Sequence, residues 1–288
     1  MGKKIGIIGG SGLYALEGIS TLEWCDVKTP FGEPSDAIGV ARLGAAELFF
    51  LPRHGRGHRH NPSDINYRAN IAALKILGVT DVISVSAVGS LRSDRAPGSF
   101  VFVDQFIDRT INRANTFFIS GCVAHVSMAE PTCTELSQFL FEQAKALGLE
   151  AYLGGTYLAM EGPQFSSLAE SKLYQSWGCD VIGMTNMPEA KLAREAELAY
   201  ASMACVTDYD CWHQDHGHVN VETVLKTLTT NIKNSQKLLT YSLPLWADYD
   251  YKDAQGCYRS LDNAIITAPQ ARDLQLVECL RPIAGRIL

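Results

Sequence analysis

The chain has 288 residues, 47% hydrophobic and 19% charged, enough apolar side chain for a substantial core, which excludes a disordered or fibrous protein. Its net charge of −6, from 25 Lys and Arg against 31 Asp and Glu, lacks the basic excess of a general nucleic-acid or anionic-membrane binder. The eight cysteines form no CxxC pair and no run approaches the ~18 apolar residues of a membrane helix, so free thiols in a reducing cytoplasm are expected.

Residues 4–8 (Lys-Ile-Gly-Ile-Ile) predict a short buried strand ending in Gly9-Gly10-Ser11-Gly12. Residues 47–51 predict a second, running into Pro52-Arg53-His54-Gly55, and residues 66–77 a helix with Ile71, Leu74 and Leu77 on one face, closed by Gly78. A β-branched strand over 81–86 breaks at Gly89, and residues 100–106 form a further strand. An amphipathic helix over 136–147, a strand over 157–160, a helix over 168–177 and a strand over 180–184 follow. Pro188 suits a helix first turn before the helix formers of 189–198; a strand over 200–207 and a long helix over 221–239 complete the pattern. This alternation implies an α/β fold with a mainly parallel mixed sheet covered by helices on both faces. No composition break or internal repeat marks a second domain.

Six polar segments follow predicted strands: 9–12, 53–60, 86–90, 161–167, 184–185 and 208–210. In open α/β sheets ligands bind outside the carboxyl ends of the strands, so these segments outline a pocket. Gly10-Ser11-Gly12-Leu13-Tyr14-Ala15 satisfies the dinucleotide pattern, but residues 13–23 lack a helical period and the carboxylate expected ~20 residues on is missing. A phosphate-cradling turn or a plain turn outranks a dinucleotide site. The segment Arg53-His54-Gly55-Arg56-Gly57-His58-Arg59-His60 is the densest basic stretch in the chain. Charge runs are usually solvated, yet Arg53 and His54 come straight after an apolar strand, and an Arg fork matches phosphate oxygens. Zinc at His54 and His58 ranks lower, because Gly55 and Gly57 argue against a helix. Asp208 and Asp210 place two carboxylates at the pocket edge, either as turn residues or as a general acid whose pKa burial raises. His213, Asp215, His216 and His218 read as a polar surface loop, and Cys205 and Cys211 as packing residues with a catalytic thiol as the alternative.

Taken together, the strings GIIGGSGL (6–13), TPFGEPSD (29–36), RHGRGH (53–58), NYRANIAALK (66–75), DQFIDRT (104–110), MAEP (128–131), EGPQFSS (161–167) and TDYDCW (207–212) resemble the trimeric purine nucleoside phosphorylase superfamily, most closely its 5′-methylthioadenosine phosphorylase branch. The resemblance covers residues 5–239. It implies one phosphorylase domain over 1–288, with 246–288 a poorly matched C-terminal segment packed at a subunit interface. It also implies a cytoplasmic homotrimer with active sites at subunit boundaries, a small-molecule nucleoside and phosphate as substrates, and no metal, organic cofactor, nucleic acid or membrane partner.

Carried over residue by residue, the resemblance assigns Ser11, Arg53, His54, Ser86, Thr185 and the Ala87 N–H to phosphate. Ser11 and Ser86 stand where threonine is common in the family, and both keep the hydroxyl. Met184 would lie against the ribose, Phe165 against the base, and Ser166, Asp208 and Asp210 at the adenine edge. His125 would reach into a neighbouring subunit's ribose site, and His58, Val221 and Val224 would surround the methylthio group. The implied reaction is phosphorolysis of 5′-methylthioadenosine, with Asp208 as general acid toward the departing purine. A broader purine nucleoside or methylthioinosine phosphorylase is the alternative. Branches acting on 6-oxopurines carry Glu and Asn where Ser166 and Asp208 stand, and an ionised carboxylate cannot donate to O6. A non-catalytic nucleotide-binding module would be expected to lack Arg53 or Asp208, which are both present.

Overall fold

A computed structural model describes residues 3–213 and 221–288, with Ser11 and residues 221–226 described by their backbone course alone. The elements in chain order are β1 (Lys4–Gly9), β2 (Glu23–Cys25), β3 (Ile38–Leu43), β4 (Ala46–Pro52), α1 (Tyr67–Ile76), β5 (Asp81–Ser90), β6 (Phe100–Val103) and β7 (Gln105–Asp108). Then come α2 (Thr134–Ala146), β8 (Ala151–Leu153), β9 (Thr156–Ala159), α3 (Leu168–Ser176), β10 (Val181–Gly183), α4 (Asn186–Glu195), β11 (Ala199–Asp208), α5 (Val221–Ala247) and α6 (Leu274–Ala284). The strands form one mixed sheet, and six of the ten pairings among the described residues are parallel.

The strands that the apolar runs predict carry the core. Ile5, Ile7 and Ile8 of β1 and Val82 and Ile83 of β5 are buried on both faces, as a parallel sheet covered by helices requires. Helix ends follow their local chemistry. The Asn66 side chain accepts from the Ala69 N–H at the start of α1, and Ser167 and Glu170 close a reciprocal capping box at the start of α3.

Three predicted boundaries move. The strand over 100–106 divides at Asp104, whose Oδ1 accepts from the Gly155 N–H at 2.9 Å, so that β6 joins β11 and β8 while β7 joins β9. The strand through 81–86 does not break at Gly89 but runs to Ser90, where Gly89 and Ser90 pair with Ile182 and Val181. The helix expected over 221–239 continues to Ala247 with Pro244 inside it. Strands β2, β3 and β8 and helix α6 went unpredicted; Ile38–Leu43 holds Gly39 and Arg42 inside its apolar positions, which hides the period of two.

The C-terminal segment packs back onto the sheet. Buried Trp246 donates from Nε1 to Asp81 Oδ1 at 3.0 Å, and the Tyr258 hydroxyl donates to the same oxygen at 2.9 Å. Arg286 pairs with Glu197 at 2.6 Å, and the Val123 N–H donates to Thr267 Oγ1 at 2.8 Å.

The way β5 is flanked sets the position of the site. One side of β5 pairs with β11 from Asp81 to Gly89. The other side pairs first with β1, up to Ser84, and then with antiparallel β10 at Gly89 and Ser90. Strands β1 and β10 therefore approach each other end on, and the β5 edge between them, residues 85–88, has no strand beside it. The carboxyl ends of two oppositely directed sets of strands meet at that gap.

Candidate active site

A cavity of about 790 Å³ opens over the gap. Its floor is Val85, Ser86, Ala87, Val88 and Gly89, and the glycine loop, the basic segment and the 184–185 turn surround it. Alternate residues of a strand turn both their polar groups toward the same neighbour. The Val85 carbonyl faces the gap, where it accepts from Arg53 Nη1 at 3.0 Å, so the Ala87 N–H faces the gap as well. Ala87 is exposed in an otherwise buried stretch.

At this end the basic side chains are engaged before any ligand arrives. Arg53, 3% exposed, donates from Nε to Glu189 Oε2 at 2.9 Å and from Nη2 to Glu189 Oε1 at 3.2 Å and Ser84 Oγ at 2.5 Å. One N–H, on Nη1, stays uncommitted. Glu189, on α4, takes the Nε and Nη2 side of the Arg53 fork. His54 Nδ1 lies 2.9 Å from the His60 carbonyl, which can only accept, so Nδ1 carries the hydrogen. Burial, with the charges of Arg53 and His58, pulls the His54 pKa down to about 4 against the bond to the His60 carbonyl, so the ring is neutral. The His54 and His58 rings stack with centroids 4.2 Å apart at 13°. Donors at this end are thus mainly neutral: Ser86, Thr185, the Ala87 N–H and the backbone of Gly10 and Gly12.

The glycine loop leads into one 3-10 turn, Ser11–Tyr14, rather than the longer helix of a dinucleotide fold. The Ser11 side chain lies outside the described residues. Thr185 begins the turn into α4, and on the buried side of that turn Asn186 Oδ1 accepts from Ser202 Oγ at 2.9 Å. Gly183 has to be glycine, because a Cβ there would lie 2.0 Å from the Tyr157 hydroxyl.

At the opposite end the β5–β11 register shifts by a bulge between Val206 and Asp208, which sets Asp208 beside Gly89. A Cβ on Gly89 would come within 3.0 Å of Asp208 Oδ1, so glycine leaves room for the carboxylate. Asp208 Oδ1 accepts from the Asp210 N–H at 2.8 Å, and its Oδ2 lies 2.7 Å from Thr207 Oγ1. Thr207 Oγ1 is also 3.2 Å from the Val88 carbonyl. When Thr207 donates to that carbonyl, a protonated Asp208 can donate to Thr207. Burial pushes the Asp208 pKa up, against the pull of these two bonds. Asp210 rises to about 6, chiefly through burial and then through the Asp208 charge, with Ser171 pulling the other way. Its Oδ2 is buried without a hydrogen-bond partner among the described residues.

The cavity brings together Arg53, His54, His58, Ser86, Ala87, Phe165, Met184, Thr185, Asp208 and Asp210. Phe165 is 50% exposed at its mouth. Ser166 stands one layer back, its hydroxyl 3.6 Å from the sulfur of cavity-lining Met160. His125 is not brought in; it is exposed, with its N–H donating to the Ala264 carbonyl at 2.9 Å. Val221 and Val224 fall in the first turns of α5, and their side chains lie outside the described residues, as do Asp215, His216 and His218. Among the described residues no group of three or more His, Cys, Asp or Glu is arranged to hold a metal ion. Cys205 lines the cavity but is buried, which raises its pKa to about 12 and leaves the thiol protonated.

Sequence reasoning, which put only Val221 and Val224 of α5 at the site, missed the rest of that wall. Leu228, Asn231, Ile232 and Ser235 of α5 line the cavity, at the i, i+3, i+4, i+7 spacing of one helix face. Gln236 Nε2 donates to the Gly12 carbonyl at 2.6 Å, which fixes this wall to the glycine loop. The spacing was visible, but it marks a buried face without saying whether protein or ligand covers it.

An anion-donor end, an apolar wall and a pair of carboxyls, one buried and one half-buried, around the end of a mixed α/β sheet define a nucleoside-phosphorylase type of site. Comparison with known proteins agrees: the family model described as the phosphorylase superfamily matches residues 4–244. The S-methyl-5′-thioadenosine phosphorylase of Cereibacter sphaeroides is 57% identical over 290 residues, covering 100% of this chain and 99% of the relative. That of Rhodospirillum rubrum is 54% identical over 284 residues, covering 99% and 97%. A crystal structure of a methylthioadenosine phosphorylase from an antarctic soil metagenomic library superposes with a TM-score of 0.92 at 43% identity, covering 98% of this chain and 99% of the other. The Schistosoma mansoni methylthioadenosine phosphorylase in complex with adenine gives 0.84 at 36%, covering 94% and 99%. The chain belongs to the S-methyl-5′-thioadenosine phosphorylase family of the phosphorylase superfamily.

Proposed function

We propose that this chain cleaves the N-glycosidic bond of S-methyl-5′-thioadenosine with inorganic phosphate, giving adenine and 5-methylthioribose 1-phosphate. One observation carries the reading: a single cavity holds anion donors on the open β5 edge at one end and carboxyls raised by burial at the other. In the reaction, positive charge develops on the ribose and negative charge on the departing purine. Phosphate, held by Ser11, Ser86, Thr185, the Ala87 N–H and the remaining Arg53 N–H, attacks the anomeric carbon. Because His54 is neutral and Arg53 is balanced by Glu189, phosphate keeps its charge available for attack. Protonated Asp208 donates to the purine N7, general acid catalysis worth about 10²–10⁴-fold. Asp210, lining the cavity beside Asp208, faces the adenine amino edge, and Ser166 stands behind the base.

Met184 lies against the ribose and Phe165 against the base. Leu228 and Ile232 carry the apolar character of the α5 wall and, with His58, surround the 5′ group, to which the family resemblance adds Val221 and Val224. A buried hydroxyl left unpaired there would lose about 1–3 kcal/mol, so the thioether is preferred over adenosine. A cytoplasmic homotrimer, with His125 completing a neighbouring subunit's site, is part of the same proposal. Phosphate is the co-substrate, and the steps call on no metal or organic cofactor. The test follows adenine release by absorbance from methylthioadenosine, adenosine and methylthioinosine, with and without phosphate. Phosphate-dependent release fastest on methylthioadenosine is expected; release without phosphate would make water the nucleophile and end the proposal.

A further inference from the structure

Arg113 lies outside the cavity, yet three of the segments that form the cavity meet on it. It follows β7, and its side chain is 1% exposed. Nη1 donates to the Met184 carbonyl at 2.5 Å, the Met187 carbonyl at 2.7 Å and the Tyr67 hydroxyl at 3.1 Å. Nη2 donates to the Glu161 carbonyl at 2.8 Å, with Ser63 Oγ at 3.5 Å. Each acceptor anchors a different part of the wall. Met184 and Met187 bracket the turn that presents Thr185, Glu161 precedes Pro163 and Phe165, and Ser63 lies between Pro62 and Asp64.

The Glu161 carboxylate ties the same parts together. It accepts from Ser63 Oγ and, at 2.6 Å, from the Ile111 N–H, and it lies 3.9 Å from Arg113 Nε. Burial pushes its pKa up, but these bonds and the Arg113 charge outweigh burial and hold it below the usual value. The 161–163 and 184–187 segments also touch, since a Cβ on Gly162 would sit 2.5 Å from the Met184 sulfur. A planar guanidinium can serve several carbonyls at fixed angles, whereas an ammonium is a point donor.

We propose that Arg113 is a positioning residue of the phosphorolysis reaction, holding the Met184–Thr185 turn on the sugar and phosphate side in register with the Glu161–Phe165 segment on the base side. The inference rests on the phosphorylase reading above. One side chain sets both walls, so its loss should weaken nucleoside and phosphate together, unlike the loss of a group that touches one substrate.

The experiment compares wild type, Arg113→Lys and Arg113→Ala in steady-state kinetics, varying phosphate and methylthioadenosine in turn, with thermal melting alongside. In both variants kcat/KM is expected to fall about 10–100-fold, the scale of a displacement near 1 Å at the reacting atoms. KM should rise for both substrates, and guanidinium at non-denaturing concentration should restore part of the Arg113→Ala activity where equal ammonium does not. A folded Arg113→Lys with wild-type kcat and both KM values would overturn the proposal. So would activity lost only in proportion to folded protein, or rescue by any salt alike. If Arg113→Ala fails to fold, the KM values of Arg113→Lys decide; failure of both to fold assigns the residue to stability and also overturns the proposal. Absence of phosphate-dependent cleavage in the wild type would instead end the underlying reading.

Discussion

At the anion end of the cavity, charge is settled inside the protein: Arg53 is bound to Glu189, and burial, with the charges of Arg53 and His58, keeps His54 neutral against its bond to His60. At the base end two carboxyls sit close together, and among the described residues no basic side chain figures among the largest influences on them. Both ends are buried, with opposite results. A basic group in a low-dielectric wall loses its proton or finds a carboxylate, while a carboxylic acid without a cation holds its proton to higher pH. The first end can then hold an anion without quenching it, and the second can give a proton to a leaving group.

Asp208→Asn attacks the base end most directly. Asparagine keeps the shape but cannot protonate N7 as an acid, so kcat/KM on methylthioadenosine should fall about 10²–10⁴-fold in the absorbance assay. The amide can donate to O6, so methylthioinosine should gain relative to methylthioadenosine. An unchanged rate would place the proton donor elsewhere.

Glu189→Gln attacks the other end. The Arg53 cation would lose its counter-charge while buried, and thermal or denaturant unfolding should show a loss of about 3 kcal/mol. If stability were unchanged, Arg53 would not depend on Glu189, and the reading of a neutralised anion end would fail.

These two variants also separate what could be read in the sequence from what could not. The strand-to-loop junctions at Gly9, Arg53, Glu161 and Asp208 were legible because apolar runs stop at polar clusters, whereas most of the ten expected residues that line the cavity were named through the family resemblance. The pairing of Arg53 with Glu189 was not, since it joins residues 136 apart and nothing local in α4 marks Glu189 as facing the sheet. The gap along β5 depends on β10 running antiparallel to it, and a three-residue strand carries no sign of its direction. Arg113 sits in a polar loop, and only the carbonyls converging on it give it a role. His125 was predicted for a neighbouring subunit's site, and it lies outside the cavity that its own chain forms.

The paired acids can be separated by pH. Asp210 has its folded pKa raised from 3.8 to about 6, so its ionised form is the disfavoured one in the fold. Wild-type stability from this group is fully present below about 4 and lost as pH rises through about 6. Asp210→Asn should therefore melt like wild type near pH 4 and become more stable by about 3 kcal/mol above pH 6. A difference independent of pH would show that Asp210 is not held protonated by burial.

Ser86 gives the smallest effect and the finest test of the anion end. Its hydroxyl lies 3.3 Å from Asn186 Oδ1, a long contact that a ligand oxygen can replace without breaking the buried network behind it. Ser86→Ala removes one neutral donor among several, about 1 kcal/mol, so KM for phosphate should rise roughly fivefold. KM for the nucleoside should stay where it is, because the Asp208 end is untouched. Ser86→Thr restores the hydroxyl with a β-branched side chain suited to a strand and should return phosphate KM to near the wild-type value. A rise in both KM values in Ser86→Ala would mean that the gap edge, and not the hydroxyl, had moved, and phosphate would then be held chiefly by the Ala87 N–H and the glycine loop.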